Sequence, residues 1–126
     1  MIKIAPSILS ADFAAIGQAV ENLSAWNADW VHFDVMDGNF VPNLTFGPPM
    51  CAAVRPLTGL PLDVHLMVAR PADWIEPFHA AGADLITFHV EAETHIHRTL
   101  QRIHDLGMRG GVVLNPATPL CAVETV

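Results

Sequence analysis

The sequence predicts an α/β fold built around a parallel sheet, and three observations carry that prediction. Apolar runs rich in β-branched residues recur along the chain, separated by stretches of helical periodicity. Alternation of this kind builds crossover units, which parallel strands require. The segment "NADWVHFDV" (27–35) is echoed by "GADLITFHV" (82–90), so Ala28-Asp29 matches Ala83-Asp84 and Phe33 matches Phe88. The runs are also nearly continuous in apolar character, as in strands covered on both faces. Each polar residue inside one therefore needs a reason.

The elements follow in order. The run "IKIAPSIL" (2–9) reads as a first strand. "ADFAAIGQAVENLSAW" (11–26) places Phe13, Ile16, Val20 and Leu23 on one stripe of a helix, with Ser10 as its expected N-cap. "WVHFDVM" (30–36) is a second strand, closed by an Asp37-Gly38 turn in which the carboxylate is expected to hold backbone N–H groups. "GPPMCAAVRPL" (47–57) reads as a short helix and "LDVHLMV" (62–68) as a third strand. "PADWIEPFHAAG" (71–82) is a further short helix, interrupted by Pro77. "LITFHV" (85–90) is a fourth strand. "THIHRTLQRIHDLG" (94–107) puts Ile96, Leu100, Ile103 and Leu106 on one helical stripe, with Thr94 at the expected N-cap and Gly107 at the C-terminal glycine position. "GVVLN" (111–115) is a fifth strand. No low-complexity linker divides the 126 residues, so one domain is expected.

Composition narrows the function. The chain is 52% hydrophobic and 15% charged, with a net charge of −7 and no basic cluster. That argues against nucleic acid or an anionic membrane surface as a partner. An anionic substrate would have to be met by backbone amides, a helix N-terminus or a metal. No apolar run reaches the roughly 18 residues of a membrane span. Cys51 and Cys121 lack CxxC spacing and read as reduced thiols, consistent with a cytoplasmic protein.

The polar exceptions lie on two strands. In the second, Val31, Phe33 and Val35 share one face, and His32, Asp34 and Met36 share the other. In the third, Leu62, Val64, Leu66 and Val68 oppose Asp63, His65 and Met67. His32 and Asp34 stand roughly 6.6 Å apart along the strand, and a neighbouring strand is only about 4.8 Å away. If the two strands are adjacent, His65 converges on His32 and Asp34. Any one of these residues alone reads as a hydrogen-bonded core group. Together they read as a metal site, because a buried carboxylate needs a compensating charge. Two imidazoles and one carboxylate suit zinc, iron, manganese or cobalt and leave coordination positions open. Asp63 is expected to cap or hydrogen-bond. His89 and Glu91 are expected beside the ligands, and His79, His95, His97 and His104 on solvated helix faces. Ser7 could donate to a ligand hydroxyl. Met36 and Met67 read either as core or as an apolar lining of the site.

These segments resemble the ribulose-phosphate 3-epimerase family. "APSILSADF" (5–13) is similar to its opening strand and loop, and "VHFDVMDGNFVPNLTFGP" (31–48) to its signature segment. "LDVHLMVARP" (62–71), "AGADLITFHVEA" (81–92) and "GVVLNPATP" (111–119) follow in the family's order. The resemblance implies a (β/α)8 TIM barrel, of which residues 1–126 would supply about the first five strand–helix units of one domain. It implies inversion at carbon 3 between D-ribulose 5-phosphate and D-xylulose 5-phosphate, a step of pentose phosphate metabolism. It implies His32, Asp34 and His65 as ligands of one divalent metal ion and Asp34 as a catalytic acid/base group. Ser7, His32, His65, Met36 and Met67 match substrate-contacting positions. A homo-oligomer is expected. Sequence beyond residue 126 is expected to carry a fourth ligand, which is also the second acid/base Asp, and the phosphate loops. Isolated 1–126 is then expected to be inactive. An epimerase of a six-carbon ketose phosphate such as allulose 6-phosphate, or a barrel fragment that only binds metal or partners, fits the same motifs.

Overall fold

The computed structural model describes residues 1–126. Four of the apolar runs form strands: β1 (Val31–Met36), β2 (Leu62–Met67), β3 (Leu85–His89) and β4 (Arg109–Val113). They pair in sequence order, every pair parallel. Helices α1 (Ile16–Ala25), α2 (Pro48–Val54), α3 (Ile75–Ala80) and α4 (Ile96–Asp105) stand between or before them. This is the strand–helix alternation of an incomplete (β/α)8 barrel.

The first expected strand is reduced to an isolated parallel bridge between Ser7 and His32. Residues 4–7 do run beside β1, since Ile4 O accepts from Asp29 N and Trp30 N and Pro6 O accepts from His32 N. The ladder does not extend beyond that one bridge. Pro6 has no N–H to give, and the Ile4 N–H is taken by Asp29 Oδ2 at 2.8 Å. Four regular strands therefore stand where five were expected. The fifth run begins earlier than read, because Arg109 N already donates to Asp84 O.

Burial follows the alternation of the strands. Val31, Phe33, Val35, Leu62, Val64 and Leu66 point into the core that the helices cover, and Phe33, Phe78 and Phe88 are fully buried within it. The opposite face of β1 carries half-buried His32, Asp34 and Met36.

The helix ends differ in detail from the sequence reading. Asp12, not Ser10, caps the entry to α1: its carboxylate accepts from Ala14 N at 2.9 Å and starts a 3-10 turn (Phe13–Ala15). Thr94 caps nothing. His95 holds the N-cap position of α4, and its N–H is met by Glu93 Oε1. Pro77 is tolerated because it lies in the first turn of α3, where an N–H has no intrahelical partner. Gly107 ends α4 with φ +80, as its position foretold.

Candidate metal centre

Register decides which side chains meet. Asp34 on β1 is paired with His65 on β2, and His32 with Asp63. Side chains two apart on a strand share a face, so His32 and Asp34 stand beside Asp63 and His65 on the half-buried side of the sheet. Each of His32, Asp34 and His65 offers one ligand atom, and these atoms all lie within 4.8 Å of one another.

Asp34 is the hub. Its Oδ1 is 3.2 Å from His32 Nε2 and 3.1 Å from His65 Nδ1, and its Oδ2 accepts from Ser7 Oγ at 2.5 Å. Donation first from His32, then from His65, holds its carboxyl well below the usual range against the opposing effect of burial. Its backbone is fixed too: Thr45 Oγ1 donates to Asp34 O at 2.8 Å while accepting from Met36 N at 3.0 Å.

His32 is held between two carboxylates. Its Nδ1 lies 2.7 Å from Asp63 Oδ2, opposite the contact with Asp34. Hydrogen bonds to Asp34 and then Asp63 push its pKa up to about 9, burial resisting. Asp63 is thus a hydrogen-bonding residue inside β2 and not a strand-end cap.

His65 leads elsewhere. Its Nε2 is 2.9 Å from His89 Nε2, with the two rings stacked at 5.0 Å. Phe40 covers the His89 ring at 5.0 Å. Burial, followed by the neighbouring His65, lowers the His89 pKa. Glu91 Oε2 lies 3.4 Å from His89 Nδ1, while Oε1 accepts from Asn115 N at 2.6 Å and Thr118 Oγ1 at 2.5 Å. His89 and Glu91 therefore do lie beside the His32, Asp34 and His65 cluster, as their strand position suggested.

The donor set fits a divalent cation. Two imidazoles and a carboxylate converge without a fourth protein group crowding them, and His32 carries a carboxylate behind its second ring nitrogen, as metal-binding histidines do. Asp63 Oδ1 and His89 Nδ1 are buried without a hydrogen-bond partner directly behind this cluster. Among the methionines, Met36 and Met67 are register partners at the C-terminal ends of β1 and β2. Two surface clefts, of about 300 and 280 Å³, include Ser7 and Met36 respectively, but neither is lined by His32, Asp34 or His65.

His79, His95, His97 and His104 are exposed and join nothing. Thr45 and Phe40 were missed from the sequence. Both belong to the loop after β1, where no periodicity says which side chains fold back.

Comparison with known proteins places the chain. It is 56% identical over 126 residues to the ribulose-phosphate 3-epimerase of Bacillus subtilis (strain 168), covering 100% of this chain and 58% of that protein. It is 58% identical over 125 residues to that of Rhodobacter capsulatus, covering 99% of this chain and 55% of that protein. It is 51% identical over 127 residues to a chloroplastic ribulose-5-phosphate-3-epimerase of Arabidopsis thaliana, covering 99% of this chain and 45% of that protein. The chain spans about half the length of the curated relatives it matches. With its residues 3–126 matched by the family model, this chain belongs to the ribulose-phosphate 3 epimerase family.

Proposed function

We propose that the protein inverts carbon 3 of D-ribulose 5-phosphate to give D-xylulose 5-phosphate, and that residues 1–126 form the N-terminal, metal-holding part of one (β/α)8 barrel domain. The observation that carries this reading is the convergence of His32, Asp34 and His65 within 4.8 Å from two adjacent parallel strands. The names of the relatives support it.

His32, Asp34 and His65 would hold the cation, with zinc, iron, manganese and cobalt as the suited metals. When bound, a divalent cation supplies Lewis-acid stabilisation of the negative charge that develops on substrate oxygens as a proton leaves. Asp34 is the catalytic group. Its Oδ2, which touches no imidazole, receives the proton from carbon 3, while Oδ1, beside both imidazoles, would face the cation. Ser7 can turn its hydroxyl from Asp34 Oδ2 toward a substrate oxygen. His32 and His65 contact the substrate from the floor of the site. Met36 and Met67 line it with apolar, polarizable surface that keeps out water and offers no competing proton. Inversion also requires a second acid/base group to return a proton to the opposite face. A homo-oligomer and a cytoplasmic location belong to the same proposal. No helix is long and apolar enough to cross a membrane.

Asp34→Asn in the full-length protein tests the reading. Turnover of D-ribulose 5-phosphate is expected to fall by about 10²- to 10⁴-fold, the usual worth of a positioned acid/base group, with circular dichroism unchanged. Retained turnover in a natively folded variant removes Asp34 from its role. Preference for a six-carbon ketose phosphate in the same assay would reassign the substrate.

A further inference from the structure

His65 is oriented through a second histidine, and that histidine is left incomplete. In the structure His65 Nδ1 lies 3.1 Å from Asp34 Oδ1. A carboxylate has no proton to give, so Nδ1 carries one and donates it. With both rings neutral, His65 Nε2 is then an acceptor, and the 2.9 Å contact to His89 Nε2 is made by a proton on His89. That choice leaves the His89 Nδ1 lone pair facing the carboxylate of Glu91 at 3.4 Å. Nδ1 is buried and makes no hydrogen bond, and the His89 side chain is only 8% exposed. A buried polar atom facing a like partner is unfavourable, and the opposite tautomer would cure it.

We propose that His89 and Glu91 form a positioning relay that completes itself when a cation occupies His32, Asp34 and His65. The inference rests on that metal centre. A cation at His65 Nδ1 requires the lone pair there, so the ring's proton sits on Nε2 and is donated to His89 Nε2. The proton of His89 then sits on Nδ1 and is donated to Glu91 Oε2. Two ring protons are present before and two after, so the rearrangement is neutral. The unpaired Nδ1 gains its partner, and His65 becomes a better-oriented and more basic ligand. Glu91 already accepts from Asn115 N and Thr118 Oγ1. The relay therefore ties the loop after β4 to the metal centre. His32 has no such intermediary, since Asp63 contacts its ring directly.

The test uses the full-length protein, titrated with Zn²⁺ alone by calorimetry. His89→Phe keeps a ring against Phe40 but cannot accept a proton, and is expected to weaken Zn²⁺ binding on the order of 10- to 100-fold. His89→Gln, whose amide oxygen can accept from His65 Nε2–H, is expected to recover part of the loss. Metal-free melting temperatures of the two variants are expected to match, which a purely structural role for His89 would not produce. Nitrogen-15 spectra of the wild-type histidines, read without and with Zn²⁺, give a measurement that needs no variant. His89 is expected to change from the Nε2–H to the Nδ1–H tautomer on loading. Wild-type affinity in His89→Phe, or an unchanged tautomer, overturns the relay and leaves the metal centre standing. Absence of Zn²⁺ binding by the wild type overturns both.

Discussion

Asp34 Oδ1 meets two imidazoles while Oδ2 meets the Ser7 hydroxyl, and this division of one carboxylate organises the residues around it. It also sets a protonic consequence. Hydrogen bonds to Asp34 and Asp63 push the His32 pKa from its ordinary 6.5 up to about 9, which favours an imidazolium at neutral pH when no cation is bound. A ligand imidazole must be neutral. Metal binding at pH 7 is therefore expected to release about one proton per ion, and affinity to rise about tenfold per pH unit until pH approaches the His32 value. Calorimetry in buffers of different ionisation enthalpy reads this directly, and a pH-independent affinity would contradict it. The convergence of His32, Asp34 and His65 was legible because a strand has a period of two: polar residues at 32, 34 and 65 stand out against apolar neighbours on either side. What Asp63 does was only half legible. That it bonds was foreseen, but that it bonds His32 depends on the β1–β2 register, which no local pattern contains. The same is true of His89, whose partner is on the next strand.

At the scale of elements, strand and helix order was read from alternation, and the ends were not. Ser10 and Thr94 are good N-cap residues, yet Asp12 and Glu93 take the exposed N–H groups because the chain turns one or two residues away from where the apolar stripe implied. The first run failed as a strand for a reason visible only in context: Pro6 lacks a donor and Asp29 captures the Ile4 N–H. The turn after β1 behaved as its Asp-Gly pair foretold. Asp37 Oδ1 accepts from Asn39 N and Phe40 N at 2.9 Å each, and Oδ2 accepts from Ala69 N at 2.8 Å, joining the loops after β1 and β2. Burial works to raise its pKa, but donation from Ala69, Asn39 and Phe40 prevails and lowers it from 3.8. A carboxylate with a lowered pKa stabilises the fold above its ordinary value and loses that effect as pH falls through the folded one. Asp37→Asn is expected to be less stable than wild type at neutral pH, by a margin that shrinks as pH drops below 3.8. Denaturant midpoints across acid pH measure it; a margin independent of pH would show that the charge plays no part.

For the whole molecule, the parallel order β1-β2-β3-β4 turns sequence order into spatial order. Neighbouring strands then deliver chemistry in steps: His32 and Asp34 from β1, Asp63 and His65 from β2, His89 from β3. One face of the sheet packs Phe33, Leu66 and Phe88 under the helices, and the other carries His32, Asp34 and His65, so the same alternation builds core and candidate site together. A barrel was inferred from resemblance; strand alternation by itself supports only a parallel sheet. The centre of the account is a cation held jointly by β1 and β2. Crystals of the full-length protein grown with Zn²⁺, with anomalous diffraction collected at the zinc edge, test it most directly. One strong peak is expected about 2.0–2.2 Å from His32 Nε2, Asp34 Oδ1 and His65 Nδ1. No peak there, with zinc bound elsewhere or not at all, would contradict the account.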